Sequence, residues 1–200
     1  MLGFWPRGEV RLETERMVLR PPRTADFAGW AQARKASRDY LTPWEPTWSS
    51  DHLSYPAFRQ RVRWARRAVR EQRAWPFFLT RKPDGAFLGA ITLDNVRRGP
   101  AQAGTIGYWV AESEARKGYM LEAIQAVRAF AFEELGLSRL EAGCLPENTA
   151  SRRLLEKAGF RQEGRAEAYL QINGRWREHA LYASLRQDRK PAEMVRPAAE

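Results

Sequence analysis

The sequence predicts a single α/β domain, and three observations support this fold class. The chain has 200 residues, which suits one domain of ordinary size. Residues 105–160 have, in order, the patterns of a strand, a tight basic turn, a helix, a second strand and a second helix. Asn173-Gly174 lies between two strand-like runs and is the strongest short signal of a β-hairpin. Strands and helices therefore share one compact chain.

The N-terminal part is predicted to hold a leader, a strand, a helix and a rigid loop. Residues 1–10 indicate a loose leader, and Arg16–Arg20 has the composition of a strand. Thr24-Ala25-Asp26 offers an N-cap for a helix that continues to about Ser37. Residues 40–51 are rich in Pro and aromatic residues, which suits a rigid binding loop or a loop held to the core by its tryptophans.

Residues 55–73 have the period of an amphipathic helix. Its apolar face consists of Phe58, Val62, Ala65 and Val69, and its basic face of Arg59, Arg63, Arg66, Arg70 and Arg73. A row of five arginines could follow a phosphate backbone such as that of ribosomal RNA. The alternative is a solvated helix face.

Strands follow this helix and also end the domain. Residues 75–80 and 86–93 predict two strands joined by the turn Pro83-Asp84-Gly85, and residues 95–103 predict a Gly/Pro loop. Residues 168–171 and 176–185 predict the arms of the C-terminal hairpin, followed by a flexible tail over residues 187–200.

The turn before the helix at residue 119 is a candidate phosphate site. Arg116-Lys117-Gly118 falls where the strand has ended and the helix begins, so several backbone N–H groups point outward with the helix dipole behind them. Neither a GxxxxGK[ST] loop nor a GxGxxG turn occurs in the chain. A solvated turn is the alternative interpretation.

Several separated motifs together are similar to the GCN5-related N-acetyltransferase (GNAT) superfamily. These are Arg116-x-Gly118-Tyr119, Glu122-Ala123, Asn148-x-x-Ser151 and Gly159-Phe160, with Leu41–Pro46, Asn95–Gly99 and Gly174–His179 matching one branch. That branch contains the ribosomal-protein N-terminal acetyltransferases RimJ and RimL, and RimJ is the more similar. The resemblance runs from about Arg11 to Leu185. It implies one GNAT domain over residues 11–186, with a mixed, mostly antiparallel twisted sheet of about seven strands and about four helices.

The resemblance also implies an activity. GNAT enzymes transfer acetyl from acetyl-CoA to a primary amine by direct attack, and RimJ-like similarity implies the N-terminal alanine of a ribosomal protein. Acetylation of a small amine or an antibiotic is the first alternative. A ribosome- or RNA-binding factor with a decayed acetyltransferase site is the second.

The donor site implied by the family starts at the basic turn. Arg116, Lys117, Gly118, Tyr119 and Met120 would hold the pyrophosphate, although Ala115 and Met120 replace the outer residues of the family pattern. The region Trp109-Val110-Ala111 would direct a backbone N–H at the thioester oxygen. Asn148 would bind the pantetheine arm, and a helix N-cap is its alternative role.

The proton donor and the acceptor side are also implied by the family. Many members protonate the thiolate with a Tyr four residues before the Gly-Phe pair, where this chain has Leu155. Ser151 matches the serine that RimL-type enzymes use, and an ordinary capping role is its alternative. On the acceptor side, Trp44, Glu45 and Tyr169 are the expected contacts.

The general base is the position that matches the family least. The acidic residue expected directly before Tyr169 is Ala168, and Glu167 lies one residue earlier. A slip of one residue turns a strand side chain to the other face, so Glu167 requires a bulge to reach the site. Glu141 and Glu112 are alternatives that act through water. An N-terminal amine (pKa ~7.7–8.0) needs a weaker base than a lysine (pKa ~10.4).

Composition limits the function classes. The net charge of +10 favours acidic partners, although only five of the 34 basic residues are Lys and such Arg bias can reflect a GC-rich genome. Cys144 is the single cysteine and His52 and His179 lie far apart, so no metal site is expected. No apolar stretch is long enough for a membrane span. We expect a cytoplasmic protein, either a monomer or a homodimer.

Overall fold

The computed structural model describes residues 10–186. The predicted leader, apart from Val10, and the predicted tail lie outside the described residues. The described chain forms one sheet with helices on both faces. Its strands are β1 (Leu12–Glu13), β2 (Met17–Arg20), β3 (Trp75–Arg81), β4 (Phe87–Arg97), β5 (Ala103–Val110), β6 (Arg139–Cys144), β7 (Arg161–Ile172) and β8 (Arg175–Leu185). Its helices are α1 (Phe27–Ala36), α2 (Arg38–Leu41), α3 (Tyr55–Arg70), α4 (Tyr119–Ala129) and α5 (Thr149–Lys157).

The sheet has the strand order β1-β2-β3-β4-β5-β6-β8-β7. Every neighbouring pair is antiparallel except β5 and β6, which run parallel. The prediction of a mixed, mostly antiparallel sheet is confirmed. There are eight strands rather than seven because β1 adds a two-residue strand at the edge, and α2 is a single turn beyond the four predicted helices.

Two clusters of buried side chains hold the helices to the sheet. The larger cluster packs α4 and α5 against one face and includes Met120, Ile124 and Leu155. The smaller cluster packs α1 and α3 against the other face through Trp30, Phe58, Val62 and Phe78. Burial of the apolar face of α3 explains why an Arg-rich segment is helical: Phe58, Val62 and Ala65 are inaccessible to solvent while the arginines predicted on the other face are exposed.

Two predicted boundaries are wrong. The Gly/Pro segment 95–103 is not all loop, because β4 continues to Arg97 and β5 begins at Ala103, with a register irregularity between Asp94 and Arg97. The α3 helix ends at Arg70, since Gln72 adopts a left-handed backbone conformation with φ of 53°. Arg73 therefore lies beyond the helix, where it pairs with Glu71 at 2.5 Å.

The C-terminal hairpin confirms one prediction and contains a bulge. Asn173 and Gly174 both have positive φ, 44° and 78°, as a type I′ turn requires. Farther along β7 the register shifts between Ala166 and Leu170, which pair with His179 and Arg177. Three residues of β7 therefore face one residue of β8, and Ala168 adopts φ of 47°. This bulge changes the direction of Glu167 and Tyr169 relative to a regular strand.

Candidate active site

The parallel strands β5 and β6 separate to form a wedge. They pair only where Ala103–Thr105 meets Arg139–Glu141, and from Ile106 and Ala142 onward no pairing joins them. Ala111 donates its N–H to the carbonyl of Leu88 at 2.8 Å. Because N–H groups of successive strand residues point to opposite edges, the amide of Trp109 also faces β4 while that of Val110 faces the wedge.

The basic turn that follows β5 has the geometry of an anion site. Gly118 caps α4 with φ of 84°, a conformation that side chains rarely adopt. Gly118 has no side chain that could cap the helix. The first backbone N–H groups of α4, starting with those of Tyr119 and Met120, have no acceptor within the helix. Glu122 is the first residue whose N–H closes a helical bond, at 3.2 Å from the Gly118 carbonyl.

Arg16 holds this turn in place, and sequence reasoning missed it. Its guanidinium donates to the Glu122 carboxylate at 2.8 Å and to the Lys117 carbonyl at 3.0 Å. The same group lies 4.5 Å from the centre of the Tyr119 ring. Burial acts to raise the pKa of Glu122, but hydrogen bonds from Thr14 and Arg16 outweigh it and lower that pKa. Arg16 is 106 residues from Glu122 in sequence, so no local pattern could indicate the contact.

The cations of the turn differ in their partners. Lys117 pairs with Glu114 at 3.1 Å. Arg116 is exposed, has φ of 63°, and forms no ion pair among residues 10–186. Arg116 is therefore the side chain best placed to meet an added phosphate group.

Ser151 lies beside the wedge and is hydrogen-bonded to a second hydroxyl. Its Oγ is 2.8 Å from the Oη of Tyr108 on β5. Burial raises the pKa of Tyr108, so its phenol stays protonated and can donate to Ser151. Leu155 is fully buried in the core and leaves no hydroxyl in its place. Tyr108 was not predicted to belong to the site. The alternation of side chains along β5 could have indicated that Tyr108 and Trp109 point to opposite faces of the sheet.

Asn148 performs the capping role that was its alternative interpretation. Its Oδ1 accepts the N–H of Ser151 at 3.0 Å, which fixes the start of α5 and the position of Ser151 together. The side-chain nitrogen of Asn148 is left for a ligand. The single cysteine, Cys144, is buried at the end of β6.

Comparison with known proteins identifies the family of this chain. A family model described as an acetyltransferase (GNAT) domain matches residues 16–161. The chain belongs to the GNAT acetyltransferase family. It is 31% identical over 177 residues to the "Probable N-acetyltransferase YjcK" of Bacillus subtilis, covering 88% of this chain and 98% of that protein. It is also 31% identical over 183 residues to the "[Ribosomal protein uS5]-alanine N-acetyltransferase" of Escherichia coli, covering 92% and 94%.

A solved structure agrees with these relatives. Mycobacterium smegmatis RimJ in complex with CoA-disulfide superposes with a TM-score of 0.82 at 33% identity, covering 94% of this chain and 91% of that one. The chain is therefore an N-acetyltransferase with the GNAT fold, and its RimJ-like resemblance is confirmed. No helix within residues 10–186 has the length and apolar content to cross a bilayer. The same residues contain no cluster of three or more potential metal ligands.

A groove of about 390 Å³ separates the loop after α2 from the β7–β8 hairpin. Its lining is Pro43, Trp44, Glu147, Ile172, Asn173, Arg175 and Arg177. The Asn173 N–H donates to the Glu45 carbonyl at 2.9 Å, which joins loop and hairpin. Of the predicted acceptor contacts, Trp44 lines this groove, while Tyr169 packs beside Gly143 on β6.

Glu45 has a structural role that the sequence did not indicate. Both of its carboxylate oxygens accept from Arg34, at 2.8 and 2.6 Å, and Trp48 donates to one of them at 2.9 Å. Arg34 is 4% exposed and lies between the rings of Trp48 and Trp109 at 4.3 and 4.5 Å. With its carboxylate occupied in this way, Glu45 is poorly suited to bind an acceptor amine.

His52 completes this cluster and makes it sensitive to acid. Burial, with Arg34 and Arg61, lowers the pKa of His52 from 6.5 to about 4. As pH falls through this window the unfolded chain binds a proton that the folded chain does not, so stability decreases. We expect His52→Gln to reduce the drop in urea midpoint between pH 7 and pH 5. An unchanged drop would show that His52 does not couple folding to protons.

The predicted bases differ in their surroundings. Burial acts to raise the pKa of Glu141, but hydrogen bonds from Arg139 and Arg97 outweigh it and lower that pKa. A carboxylate held by two arginines is a weak proton acceptor, which argues against Glu141. Glu167 is exposed within the β7 bulge and has no ion pair among the described residues. Glu112 is also exposed, beyond the end of β5.

Proposed function

We propose that this enzyme transfers acetyl from acetyl-CoA to the N-terminal alanine of a ribosomal protein, by direct attack and without a covalent enzyme intermediate. The observation that carries the proposal is the wedge between β5 and β6, with the anion-binding turn 116–120 at one end. The similarity to a uS5-alanine N-acetyltransferase over most of both chains supports the acceptor. A ribosomal acceptor implies that the enzyme works in the cytoplasm.

The residues present fit acetyl-CoA. Backbone N–H groups at the start of α4, together with Arg116 and Lys117, suit a pyrophosphate. The unpaired edges of β5 and β6 suit the amides of pantetheine, and the Val110 N–H suits the thioester oxygen. Ser151, supported by Tyr108, is the proposed proton donor to the departing sulfur. When bound, acetyl-CoA supplies the activated acetyl group.

Initial rates with three acceptors test the proposed function. The acceptors are a peptide beginning with alanine, a peptide with a blocked N-terminus and an internal lysine, and spermidine. We expect the first to have the highest kcat/KM at pH 7, since its amine is neutral far more often than the others. A higher value for spermidine would instead support the small-amine alternative. Failure to bind acetyl-CoA would support the decayed-site alternative.

We propose further that the arginine face of α3 contacts ribosomal RNA. Arg59, Arg63, Arg66 and Arg70 are exposed along the helix, and Trp64 among them is 41% exposed. A basic face that carries an exposed aromatic ring suits nucleic acid. The paired Arg73 contributes less than was predicted.

We expect Arg63→Glu/Arg70→Glu to weaken ribosome binding at least tenfold in a co-sedimentation assay at low salt, with peptide acetylation unchanged. The matched control is Lys157→Glu/Arg161→Glu, which alters net charge equally at exposed sites outside α3. An equal loss in both variants would indicate that only total charge matters. No loss in either would exclude the contact.

A further inference from the structure

His179 occupies the face of the sheet opposite the Tyr108–Ser151 pair. A side chain built on Gly143 would lie 3.8 Å from Cδ2 of His179 and 3.5 Å from the Tyr169 ring, so both rings lie over Gly143. Its neighbours Ala142 and Cys144 point into the core cluster that also holds Tyr108. Successive residues of a strand point to opposite faces. Gly143 is two residues past the last β5–β6 pair, so the imidazole lies at the opening of the wedge.

The hydrogen bonding of His179 leaves one ring nitrogen ready to accept a proton. Nδ1 lies 3.0 Å from the Arg177 carbonyl oxygen. A carbonyl only accepts, so Nδ1 carries the hydrogen and Nε2 of the neutral ring has the lone pair. Nε2 has no partner among residues 10–186, and the one buried, unpaired side-chain nitrogen or oxygen there is Nε of Arg34. Nε2 therefore reaches solvent-accessible space although the residue is 3% exposed.

Most charged groups on the strands around His179 are held in ion pairs, and the exception among the described carboxylates is Glu167, which is exposed in the β7 bulge. On β6, Glu141 is held by Arg97 and Arg139. On β8, Arg177 pairs with Glu147, and Glu178 pairs with Arg165 of β7. The Tyr169 ring lies 5.4 Å from the imidazole, centre to centre. The hydrogen bond of Nδ1 to the Arg177 carbonyl holds the imidazole in a fixed orientation, whereas no hydrogen bond or ion pair with another described residue holds the exposed Glu167 side chain.

We propose that His179 is the general base of the acetyl transfer, in place of the carboxylate that the chain lacks at Ala168. This deepens the proposed function and rests on it for the acceptor. The neutral amine attacks the acetyl carbon, a C–N bond forms, and Nε2 takes the proton from that nitrogen, directly or through one water. The C–S bond breaks, and the sulfur takes a proton from the Ser151 side. The imidazolium then releases its proton to solvent. Ser151 regains from solvent the proton that it gave to the sulfur, so no net proton is gained or lost by the enzyme.

The acid limb of the pH–rate profile tests the proposal with the alanine peptide. Both the peptide amine and His179 must be neutral, so log kcat/KM of the wild type should rise with a slope of 2 at low pH. His179→Asn keeps a side-chain N–H for the Arg177 carbonyl but has no base. We expect it to lower kcat/KM about a hundredfold, to reduce the slope to 1, and to leave the KM for acetyl-CoA unchanged.

Two outcomes overturn the assignment: a slope of 1 in the wild type, or a slope of 2 that persists in His179→Asn. His52→Asn, which alters the other histidine, should keep the slope of 2. If the slope at low pH falls from 2 to 1 in Glu167→Gln but not in His179→Asn, the general base is Glu167 instead.

A measurement on the wild type keeps the proposal testable if His179→Asn does not fold. The chain has two histidines, so ¹⁵N NMR resolves both imidazoles, and His52→Asn assigns them. We expect neutral His179 to carry its hydrogen on Nδ1, and a hydrogen on Nε2 would refute the role. This result does not depend on the acceptor. If the wild type fails to acetylate the alanine peptide, the proposed function fails while the tautomer still decides the role of His179.

Discussion

Ser151→Ala is expected to lower kcat about a hundredfold or more, because general acid catalysis typically contributes that much. The backbone N–H of Ser151 still reaches Asn148 in this variant, so α5 and the KM for acetyl-CoA should be preserved. Tyr108→Phe, which removes only the 2.8 Å partner of Ser151, should cost about tenfold by the same reasoning. Steady-state kinetics at saturating acetyl-CoA and alanine peptide measure both effects.

The control for Ser151→Ala is Ser49→Ala, which removes the hydroxyl of an exposed serine distant from Ser151 in the sequence. This substitution should leave kcat unaltered. A kcat of Ser151→Ala within threefold of the wild type would contradict the role of Ser151. The hydrogen bond from the Ser151 N–H to Asn148 would then account for the position of Ser151 at the start of α5, and no proton transfer would be assigned to its hydroxyl.

Arg34→Met is expected to reduce the free energy of unfolding by about 3–5 kcal/mol, as breaking a buried ion pair does. The side chains of Arg34 and Glu45 are 5% and 19% exposed, so the lone Glu45 carboxylate would remain largely shielded from solvent without its cation. Urea denaturation at pH 7 measures the loss. The double variant Arg34→Met/Glu45→Gln should recover part of it, because no unpaired charge remains.

Lys35→Met is the matched control for Arg34→Met, as it removes an exposed cation from the same helix and should change stability by less than about 0.5 kcal/mol. A loss below about 1 kcal/mol for Arg34→Met would mean that water or neighbouring groups compensate Glu45. The loop after α2 would then be fastened mainly by its tryptophans.

The elements with strong local patterns could be predicted from sequence. The apolar period of α3, the Asn173-Gly174 turn and the strand–turn–helix order around Gly118 each depend on residues within a few positions of one another. The structure reproduces them, with errors of a few residues where α3 ends and where β4 continues into a Gly/Pro segment.

The contacts that complete the site could not be predicted in this way. Arg16 supports the turn before α4 from the other end of the domain, and the β7 bulge occurs at Ala168, a residue that does not signal a left-handed conformation. A bulge changes which side chains face the site. The sequence separation of Glu167 and Tyr169 therefore could not predict on which face of β7 the Glu167 side chain lies. His179 becomes a candidate base only when β6 and β8 are seen side by side.

The most direct test of α-amine acetylation is competition within one molecule. A peptide that begins with alanine and contains one internal lysine is incubated with the wild-type enzyme and acetyl-CoA at pH 7, and fragment-ion mass spectrometry locates the acetyl group. We predict a single acetyl on the alanine nitrogen. Acetyl on the lysine side chain instead would contradict the assignment of this enzyme as an N-terminal acetyltransferase.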